Sequence, residues 1–274
     1  PTPDSRELGS QALSNQDAQQ FAETERAYGG RAAYDKAKAA GRTKLTFGQW
    51  VQVRTPNFKR WFGDWESDPA HASKVVDRDT SEPLVVYHGT GKDFGGVFNT
   101  QGGTGKTFNT GAFFTASTDV ADSYTNGIAS NVVPVYLNLT KPLVVEVDGA
   151  NWNRIPQKAK VLLPALGKGK DKRSNVRNLF KGEWDYPDDT AATDDIARWA
   201  RKQGYDGVIF RGVVDRGPSG AFDAEAARKP ADMFVAFRPE QVKSATGNNG
   251  NFDPGDANIL HQGPRGSFSP EQLT

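Results

Sequence analysis

The chain carries Leu84-Val85-Val86-Tyr87-His88-Gly89-Thr90, an apolar run that ends in a histidine, a glycine and a threonine. Such a run predicts a short buried strand with polar residues at its exit. A histidine there can offer a ring nitrogen to a ligand, and the glycine lets a ligand approach the backbone closely. The stretch therefore predicts a ligand site at the end of a strand.

A second strand pattern lies further along the chain. It comprises Gly111-Ala112-Phe113-Phe114-Thr115-Ala116-Ser117, and the short helical pattern after it contains Ala121 and Tyr124. The paired phenylalanines offer an aromatic face, and the threonine and serine offer hydrogen-bonding groups beside it. A histidine and an aromatic face on neighbouring strands predict a pocket for a flat heteroaromatic ring.

The composition is that of a polar globular protein. The 274 residues are enough for one large or two modest domains, and 16 Phe, 7 Tyr and 6 Trp can build a core. The formal net charge of +1 gives no overall field that would attract nucleic acid. No apolar run reaches the ~18 residues of a membrane helix, and no signal peptide is visible. We therefore expect no membrane contact and a cytoplasmic location, in the protein's own cell or in a target cell after delivery.

Metal, thiol and nucleoside-triphosphate chemistry are not expected. The chain has no cysteine, and His71, His88 and His261 are scattered without the spacing of metal ligands. The run Gly102-Gly103-Thr104-Gly105-Lys106-Thr107 is similar to a phosphate loop, but Thr100 stands where that pattern requires a glycine. No buried strand leads into the run and no long helix follows it. We therefore expect a flexible loop over the ligand cleft.

Residues 1–80 predict helices. Thr46 and Thr55-Pro56 are typical of helix starts, and Gly63 is typical of a helix end. The aromatic side chains of this region are Phe47, Trp50, Phe58, Trp61 and Phe62. Because they are dense just before the strand region, we expect them to dock the helices on the domain that follows.

From residue 83 the pattern changes to short strands with few helices. Strands are predicted at 84–88, 112–115, 132–139, 143–147, 207–211 and 233–237, and helices at 118–127, 156–165 and 193–203. Thr193 is predicted to cap the last helix and Gly204 to end it. The mixture favours an α+β fold over a regular βαβ repeat. We therefore divide the chain into a helical region at 1–80, a domain at 81–262 and a tail at 263–274.

Three motifs, taken in order, resemble the signatures of one enzyme family. Tyr87-His88-Gly89-Thr90 is similar to the first signature of the diphtheria toxin and poly(ADP-ribose) polymerase type of ADP-ribosyltransferase, the H-Y-E group. Gly111 to Ser117 followed by Ala121-Asp122-Ser123-Tyr124 resembles the second signature, and Phe234-Val235-Ala236-Phe237 followed by Gln241-Val242 keeps the spacing of the third. The chain also resembles, over residues 45–260, the ADP-ribosyltransferase module of polyvalent proteins of phages and mobile elements and of related toxins.

The resemblance implies a fold, a substrate and a set of site residues. The expected fold is α+β, with an ADP-ribosyltransferase-like core of a split, mixed or antiparallel sheet after the N-terminal helices. The expected substrate is NAD, bound without a metal. The residues implied in NAD binding are His88, Gly89, Thr90, Phe113, Phe114, Thr115, Ser117 and Tyr124, and the candidates for catalysis are His88, Tyr124, Met233, Asp232 and Glu240. In the family, the histidine bonds the nicotinamide ribose and the backbone of the next glycine holds the carboxamide.

Two positions depart from the family pattern. Phe113 stands where many relatives have a tyrosine, so the ring can still stack on nicotinamide but the hydroxyl is lost. Met233 stands at the glutamate position, and its side chain cannot bond a ribose hydroxyl or stabilise positive charge. Asp232 is adjacent, but alternation along a strand points it to the opposite face unless a bulge re-aims it. The other acids nearby, which the sequence does not rank, are Asp215, Glu225 and Glu240.

The resemblance therefore implies a mono-ADP-ribosyltransferase that transfers ADP-ribose from NAD to a macromolecule. Mono-ADP-ribosylating members of the polymerase group also carry an apolar residue at the glutamate position. The expected acceptor is a protein, with nucleic acid as the alternative. The expected setting is a toxin, an effector or a phage-associated protein with an immunity or host partner. Two other interpretations stay open: a catalytically inactive NAD-fold module that binds a partner, and an NAD glycohydrolase that uses water as acceptor.

Overall fold

The computed structural model of the chain describes residues 17–91, 95–101, 110–125, 131–156, 190–215, 217, 229–248, 250 and 252–260. Within them, the helices are 17–27 (α1), Gly30–Ala39 (α2), Phe47–Gln52 (α3), Pro56–Phe62 (α4), Thr118–Ser123 (α5) and Thr193–Lys202 (α6), with a short 3-10 helix at Pro239–Gln241. None of the helices in these ranges combines the length and apolar character that crossing a membrane requires.

Local signals set the ends of α3 and α4, as the sequence predicts. The Thr46 side chain accepts a hydrogen bond from the Gln49 backbone, and the Gln49 side chain accepts one from the Thr46 backbone, which forms a capping box. The Thr55 hydroxyl caps α4 by accepting from the Phe58 N–H. Helix α4 ends at Gly63, whose φ of +96° favours glycine.

The described strands form one large sheet and one small pair. The strands are Val86–Thr90 (β1), Ala112–Thr115 (β2), Asn131–Leu137 (β3), Leu143–Glu146 (β4), Ile155–Pro156 (β5), Thr190–Ala191 (β6), Gly207–Val213 (β7), Ala231–Ala236 (β8) and Val242–Ser244 (β9). The order in the large sheet is β4-β7-β8-β2-β1-β3-β9, and β5 pairs with β6. Strands β4 and β7 are parallel and the other neighbours are antiparallel. The predicted fold, a mixed sheet preceded by helices, is confirmed.

The sheet divides between β1 and β2. Strand β1 pairs with β3 along its full length, from Val86 opposite Val135 to Thr90 opposite Asn131. It pairs with β2 at one position only, where Tyr87 lies opposite Thr115. The sheet therefore consists of two halves that meet at a single pair of residues and separate beyond it.

Alternation along the strands gives the sheet two buried faces. Helix α6 covers one face, and the buried side chains there include Val145, Ile196, Trp199, Val208, Phe210, Val213, Met233 and Val235. The buried side chains of the other face include Val86, Phe98, Ala112, Phe114, Val135, Ile209 and Phe234. Both faces are apolar, so the sheet forms the centre of the core.

An aromatic cluster joins the N-terminal helices to the sheet. The Phe58 ring of α4 lies 5.1 Å from the Tyr136 ring of β3 and 4.9 Å from the Phe252 ring, measured between centroids. The Trp61 Nε1–H donates to the Glu240 carbonyl at 3.0 Å. The predicted docking of the helices through their aromatic side chains is therefore confirmed.

Several predicted boundaries are corrected. Strand β1 begins two residues later than predicted, at Val86, and Pro156 lies in a strand rather than at the start of a helix. Ala192 caps α6 without a side-chain hydrogen bond, and Thr193 is its buried first residue, so the predicted cap is wrong. Residues 157–165 of the helix predicted at 156–165, the run at 102–107 and the tail at 263–274 lie outside the described residues.

Candidate active site

A cleft of about 390 Å³ opens where β1 and β2 separate. It is lined by residues of β1, β2, β8 and α5, the first turn of α6, and the segments that follow β4 and β7. The predicted site residues that the structure brings together here are His88, Gly89, Phe113, Phe114, Thr115, Tyr124 and Met233. They come from parts of the chain far apart in sequence, and the split in the sheet is what places them around one cavity.

His88 is held across the split. Its Nδ1 lies 2.7 Å from the Phe113 carbonyl oxygen, and because a carbonyl only accepts, Nδ1 carries the proton. The ring packs edge-on against Phe98 at 5.0 Å and beside Phe114 at 5.5 Å. Burial lowers the pKa of His88, so the ring is neutral at neutral pH. In this state Nε2 is an acceptor, suited to a ligand hydroxyl.

Gly89 is required by the packing of a helix. A Cβ atom added to Gly89 would lie 1.7 Å from the Ala121 carbonyl oxygen and 3.2 Å from the Tyr124 Cβ. Helix α5 therefore packs directly on the backbone of β1, and no larger residue fits between them. The explanation of Gly89 from the sequence, close approach by a ligand, is incomplete. The packing of α5 is by itself enough to require glycine at this position.

The residues of β2 divide between the two faces of the sheet. Phe113 is half-buried and lines the cleft, and Phe114 is buried and stacks edge-on with Phe98 at 5.1 Å. Thr115 is buried in the cleft lining, and its Oγ1 accepts from the Ser117 N–H at 3.1 Å. Phe113 is thus the aromatic ring of β2 that a ligand can reach on the face that carries Thr115.

Tyr124 and Asp215 form a hydrogen-bonded pair in the cleft. The Tyr124 hydroxyl donates to the two carboxylate oxygens of Asp215, at 3.0 Å and 2.9 Å. The Gly217 N–H also donates to Oδ1 of Asp215, at 2.9 Å. Burial and the neighbouring Asp215 charge raise the pKa of Tyr124, so it stays protonated, and burial raises the pKa of Asp215.

A second acid lines the cleft from α6. Burial raises the pKa of Asp194, and the adjacent Asp195 raises it further. Asp195 itself forms an ion pair with Arg198. The cleft therefore contains a neutral histidine, aromatic rings and two acids from different elements. Such a site can bind a flat ring and stabilise positive charge.

Residues 79–252, more than half of the chain, match the family described as ADP-ribosyltransferase in polyvalent proteins. The chain belongs to this family. Comparison with curated proteins and with solved structures gives no match. The family assignment confirms the resemblance seen in the sequence motifs. The ADP-ribosyltransferase region contains all strands of the large sheet, and α1–α4 precede it.

Strand β8 of this ADP-ribosyltransferase presents Met233 to the cleft. Met233 lies opposite Thr115 of β2 and Phe210 of β7, and it is 7% exposed. Asp232, a predicted catalytic candidate, lies outside the cleft. Its Oδ2 accepts from Arg211 and Arg78, and its Oδ1 accepts from the Gly212 N–H. Strand alternation gives the reason, since neighbouring residues face opposite sides of the sheet.

Three other predicted site residues also lie away from the cleft lining. Glu240 belongs to the 3-10 helix after the far end of β8, and its carbonyl accepts from Trp61. Thr90 ends β1 opposite Asn131. The Ser117 hydroxyl caps α5 by accepting from the Val120 N–H. These residues belong to the elements around the site and are not among the described residues that line the cleft.

Three of the cleft residues, Trp152, Thr193 and Asp194, were not assigned to the site from the sequence. Trp152 reaches the cleft because Asn151 bridges to Val214 just beyond β7, a contact between distant parts of the chain. Thr193 and Asp194 lie in the first turn of α6, where an acid is expected for its effect on helix stability. No local sequence pattern distinguishes an acid that stabilises the helix from an acid that belongs to a binding site. Among the described residues, no group of His, Cys, Asp or Glu could hold a metal ion.

Proposed function

We propose that this protein is an active mono-ADP-ribosyltransferase that uses NAD and modifies a macromolecular acceptor, in the first place a protein. The observation that supports the proposal is the cleft between β1 and β2, which brings His88, Gly89, Phe113 and Tyr124 together. ADP-ribosyltransferases take NAD as their substrate. A cleft of about 390 Å³ with aromatic rings and a neutral histidine fits the nicotinamide end of that molecule.

Each cleft residue has a role in holding this substrate. The Phe113 ring offers a face for nicotinamide, and the Gly89 backbone offers hydrogen bonds to its carboxamide. His88, kept neutral by burial, offers Nε2 to a ribose hydroxyl. Tyr124 keeps its proton and is directed toward Asp215. These contacts restrict the orientations of the bound substrate. The entropic cost of reaching the reactive orientation is therefore reduced.

The transfer itself balances without a further reagent. The bond between the ribose carbon and the ring nitrogen breaks, and its electron pair leaves with nicotinamide as a neutral ring. A lone pair of the acceptor forms the new bond to the same carbon, and the acceptor's proton passes to solvent. Positive charge develops on the ribose during this exchange, so a negatively charged cleft assists it.

Met233 supports transfer of a single ADP-ribose unit. A thioether cannot accept a hydrogen bond from an acceptor ribose as a carboxylate does, so extension of a chain has no support at this position. The same residue favours a second candidate function, a catalytically inactive module that binds NAD or a partner. The proposal includes a biological role: the protein is a toxin, an effector or a phage-associated protein, and it has an immunity or host partner.

The first test is incubation of the purified protein with NAD labelled on its ADP-ribose and a bacterial lysate. We expect nicotinamide release, and label in a macromolecular fraction that protease removes. Label that nuclease removes would indicate a nucleic acid acceptor. Nicotinamide release without transfer of label would indicate a glycohydrolase, and NAD binding without release would indicate the inactive module.

The His88→Ala variant tests the site itself. Loss of a group that orients the substrate should lower nicotinamide release by tens to thousands-fold. The melting temperature should fall by only a few degrees, because one hydrogen bond contributes about 1 kcal/mol. The matched control is His71→Ala, since the His71 side chain is 85% exposed and pairs with Asp68 at the surface. Normal turnover in His88→Ala would contradict the assignment of the cleft.

A further inference from the structure

The acids of the cleft do not come from β8. Strand β8 contributes Met233, and among the described residues the carboxylates in the lining belong to Asp194 and Asp215. Among the cleft-lining residues in the described part of the chain, none is a lysine or an arginine. The cleft therefore has negative groups available for a developing positive charge, and the question is which of the two acids is placed for it.

A bulge in β7 determines where Asp215 lies. Phe210 pairs with Met233 and Val213 pairs with Ala231, and the register shifts between them. Phe210 and Val213 are three residues apart, yet both are buried in the same cluster under α6. In a regular strand they would face opposite sides of the sheet, so the bulge reverses the alternation. Asp215, two residues beyond Val213, consequently lies on the face that carries Met233.

Asp232 holds this bulge in place. Its Oδ1 accepts from the Gly212 N–H at 3.0 Å, and Gly212 has a φ of +71° that favours glycine. Its Oδ2 accepts from Arg211 and from Arg78, the latter at 3.2 Å. Asp232 thus acts at a distance from the cleft, as a positioning residue for the end of β7.

Asp215 is more deeply buried than Asp194. Asp215 is 4% exposed, and it accepts hydrogen bonds from the Tyr124 hydroxyl and the Gly217 N–H. Asp194 is only partly buried, in the first turn of α6 beside Asp195, and it accepts a hydrogen bond from the Thr110 side chain. A rigid group aimed into a site stabilises charge without reorganisation during the reaction. A buried carboxylate is also costly to the fold, and such cost is typical of functional sites.

We propose that Asp215 is the carboxylate that stabilises positive charge on the ribose in the ADP-ribosyl transfer proposed above. The inference rests on that proposed function. The bulge in β7 delivers Asp215 to the cleft, and Tyr124 orients its two oxygens. The catalytic acid of this protein thus comes from the end of β7, on the segment after the bulge, while β8 contributes an apolar side chain.

The test compares Asp215→Asn with the parent protein and with Asp122→Asn, which neutralises an exposed acid on the same helix that leads to Tyr124. We expect kcat for nicotinamide release to fall by about 100-fold or more in Asp215→Asn. The Kd for NAD, measured by calorimetry, should change by less than about threefold. The melting temperature at neutral pH should rise, which separates loss of charge from loss of fold.

The pH profile adds a readout that a merely structural role would not move. Burial raises the pKa of Asp215, and the hydrogen bond from Tyr124 lowers it. Nicotinamide release should therefore fall at acid pH with a midpoint above the ordinary aspartate pKa of about 3.9. Tyr124→Phe removes the hydrogen bond and should move that midpoint to higher pH. An unchanged midpoint in Tyr124→Phe would count against the proposal.

The remaining outcomes separate the two proposals. If the parent releases nicotinamide and Asp215→Asn does so at a similar rate, the role of Asp215 is wrong and the proposed function stands. If Asp194→Asn loses turnover while Asp215→Asn keeps it, the acid of α6 carries the charge and the inference is overturned. If the parent binds NAD and releases no nicotinamide, the proposed function fails, and the role of Asp215 fails with it.

Discussion

At the residue scale, Gly89 serves two neighbours at once. Its backbone lines the cleft, and its missing side chain makes room for the Ala121 carbonyl of α5. Because Tyr124 follows α5 directly, the same contact places the tyrosine that bonds Asp215. The absence of a side chain at Gly89 therefore allows α5 to pack on β1, and this packing determines where Tyr124 lies in the site.

We predict that Gly89→Ala destabilises the protein strongly. The added Cβ would lie 1.7 Å from the Ala121 oxygen, so α5 must move, and overpacking of this kind costs about 1–3 kcal/mol or more. The control is Gly48→Ala, at an exposed helical position where nothing lies within 4 Å of the new atom. That variant should gain up to about 1 kcal/mol. Urea unfolding measures both, and equal stability of the two variants would refute the packing of α5 on β1.

The raised pKa of Asp215 gives a prediction for stability against pH. Because the folded-state pKa lies above the unfolded value, folding favours the protonated form. This contribution is fully present below the unfolded pKa and is lost as the pH rises through the folded pKa. Asp215→Asn should therefore melt higher than the parent at neutral pH, and the difference should shrink as the pH falls toward about 4. His88, Tyr124 and Asp194 line the same cleft and are unchanged in this comparison.

Melting curves of both proteins from neutral to acid pH provide the measurement. The parent also contains acids with lowered pKa values, such as Asp77 beside Lys44. Their contribution to the stability of the folded protein is lost as the pH falls. They are common to parent and variant, so the difference between the two melting temperatures isolates Asp215. A difference that stays constant with pH, or a variant that melts lower than the parent at neutral pH, would indicate a structural role for this carboxylate.

At the scale of elements, an irregularity in β7 determines the direction of a cleft side chain. A regular strand would place Asp215 on the face opposite Met233, and the shift between Phe210 and Val213 reverses this. Bulges of this kind re-aim side chains next to active sites. Gly212 and Asp232 stabilise the bulge together, and they lie on different strands. Neither residue alone predicts a bulge, so the sequence does not reveal it.

We predict that Gly212→Ala lowers nicotinamide release by roughly 10- to 100-fold, because a small displacement of a catalytic group has effects of this size. The positive φ of +71° makes alanine strained by roughly 1–2 kcal/mol, and the surroundings leave ordinary contact distances for the new atom. Gly41→Ala is the control, since Gly41 has a φ of +67° and open space around it, far from the cleft. It should show the same loss of melting temperature and normal turnover. Normal turnover in both variants would show that the bulge does not place Asp215.

At the scale of the whole molecule, the N-terminal helices and the sheet share one core. Phe58 of α4 contacts Tyr136 of β3 and Phe252 near the end of the described chain. Ser73 donates to the Leu137 carbonyl at 2.7 Å, and the Lys74 N–H donates to the Leu139 carbonyl at 2.7 Å. The helical region therefore supports β3, which in turn pairs with the histidine strand β1 along its length.

We predict that the described part of the chain unfolds as one unit. Calorimetry should show one transition for the parent, with equal calorimetric and van't Hoff enthalpies. Phe58→Ala should lower the whole transition by about 3–5 kcal/mol, since its ring is fully buried. Phe47→Ala, at the half-buried edge of the same cluster, should have a smaller effect. Two separate transitions, with Phe58→Ala moving only one of them, would show that the helices form an independent unit.

Much of the architecture could be predicted because its causes are local. The capping box of Thr46 and the cap of Thr55 act within a single helical turn, and the apolar runs at β1 and β2 identify their own strands. Less could be predicted where a segment takes its form from a distant partner. Ala192 rather than Thr193 caps α6, and Pro156 joins a strand because Thr190 lies opposite it.

The sequence by itself determined the mixed fold and the family motifs. It also determined the histidine and the aromatic residues of the cleft, and the methionine at position 233 where the family has a glutamate. Only the tertiary structure decided which acids line the cleft. Tyr124 and Asp215 are 91 positions apart, and they meet because α5 packs on Gly89 while a bulge held by Asp232 turns the end of β7. The physical reason is that helix caps and strand patterns depend on neighbours along the chain, whereas the direction of one carboxylate depends on contacts between strands and helices that the chain brings together only on folding.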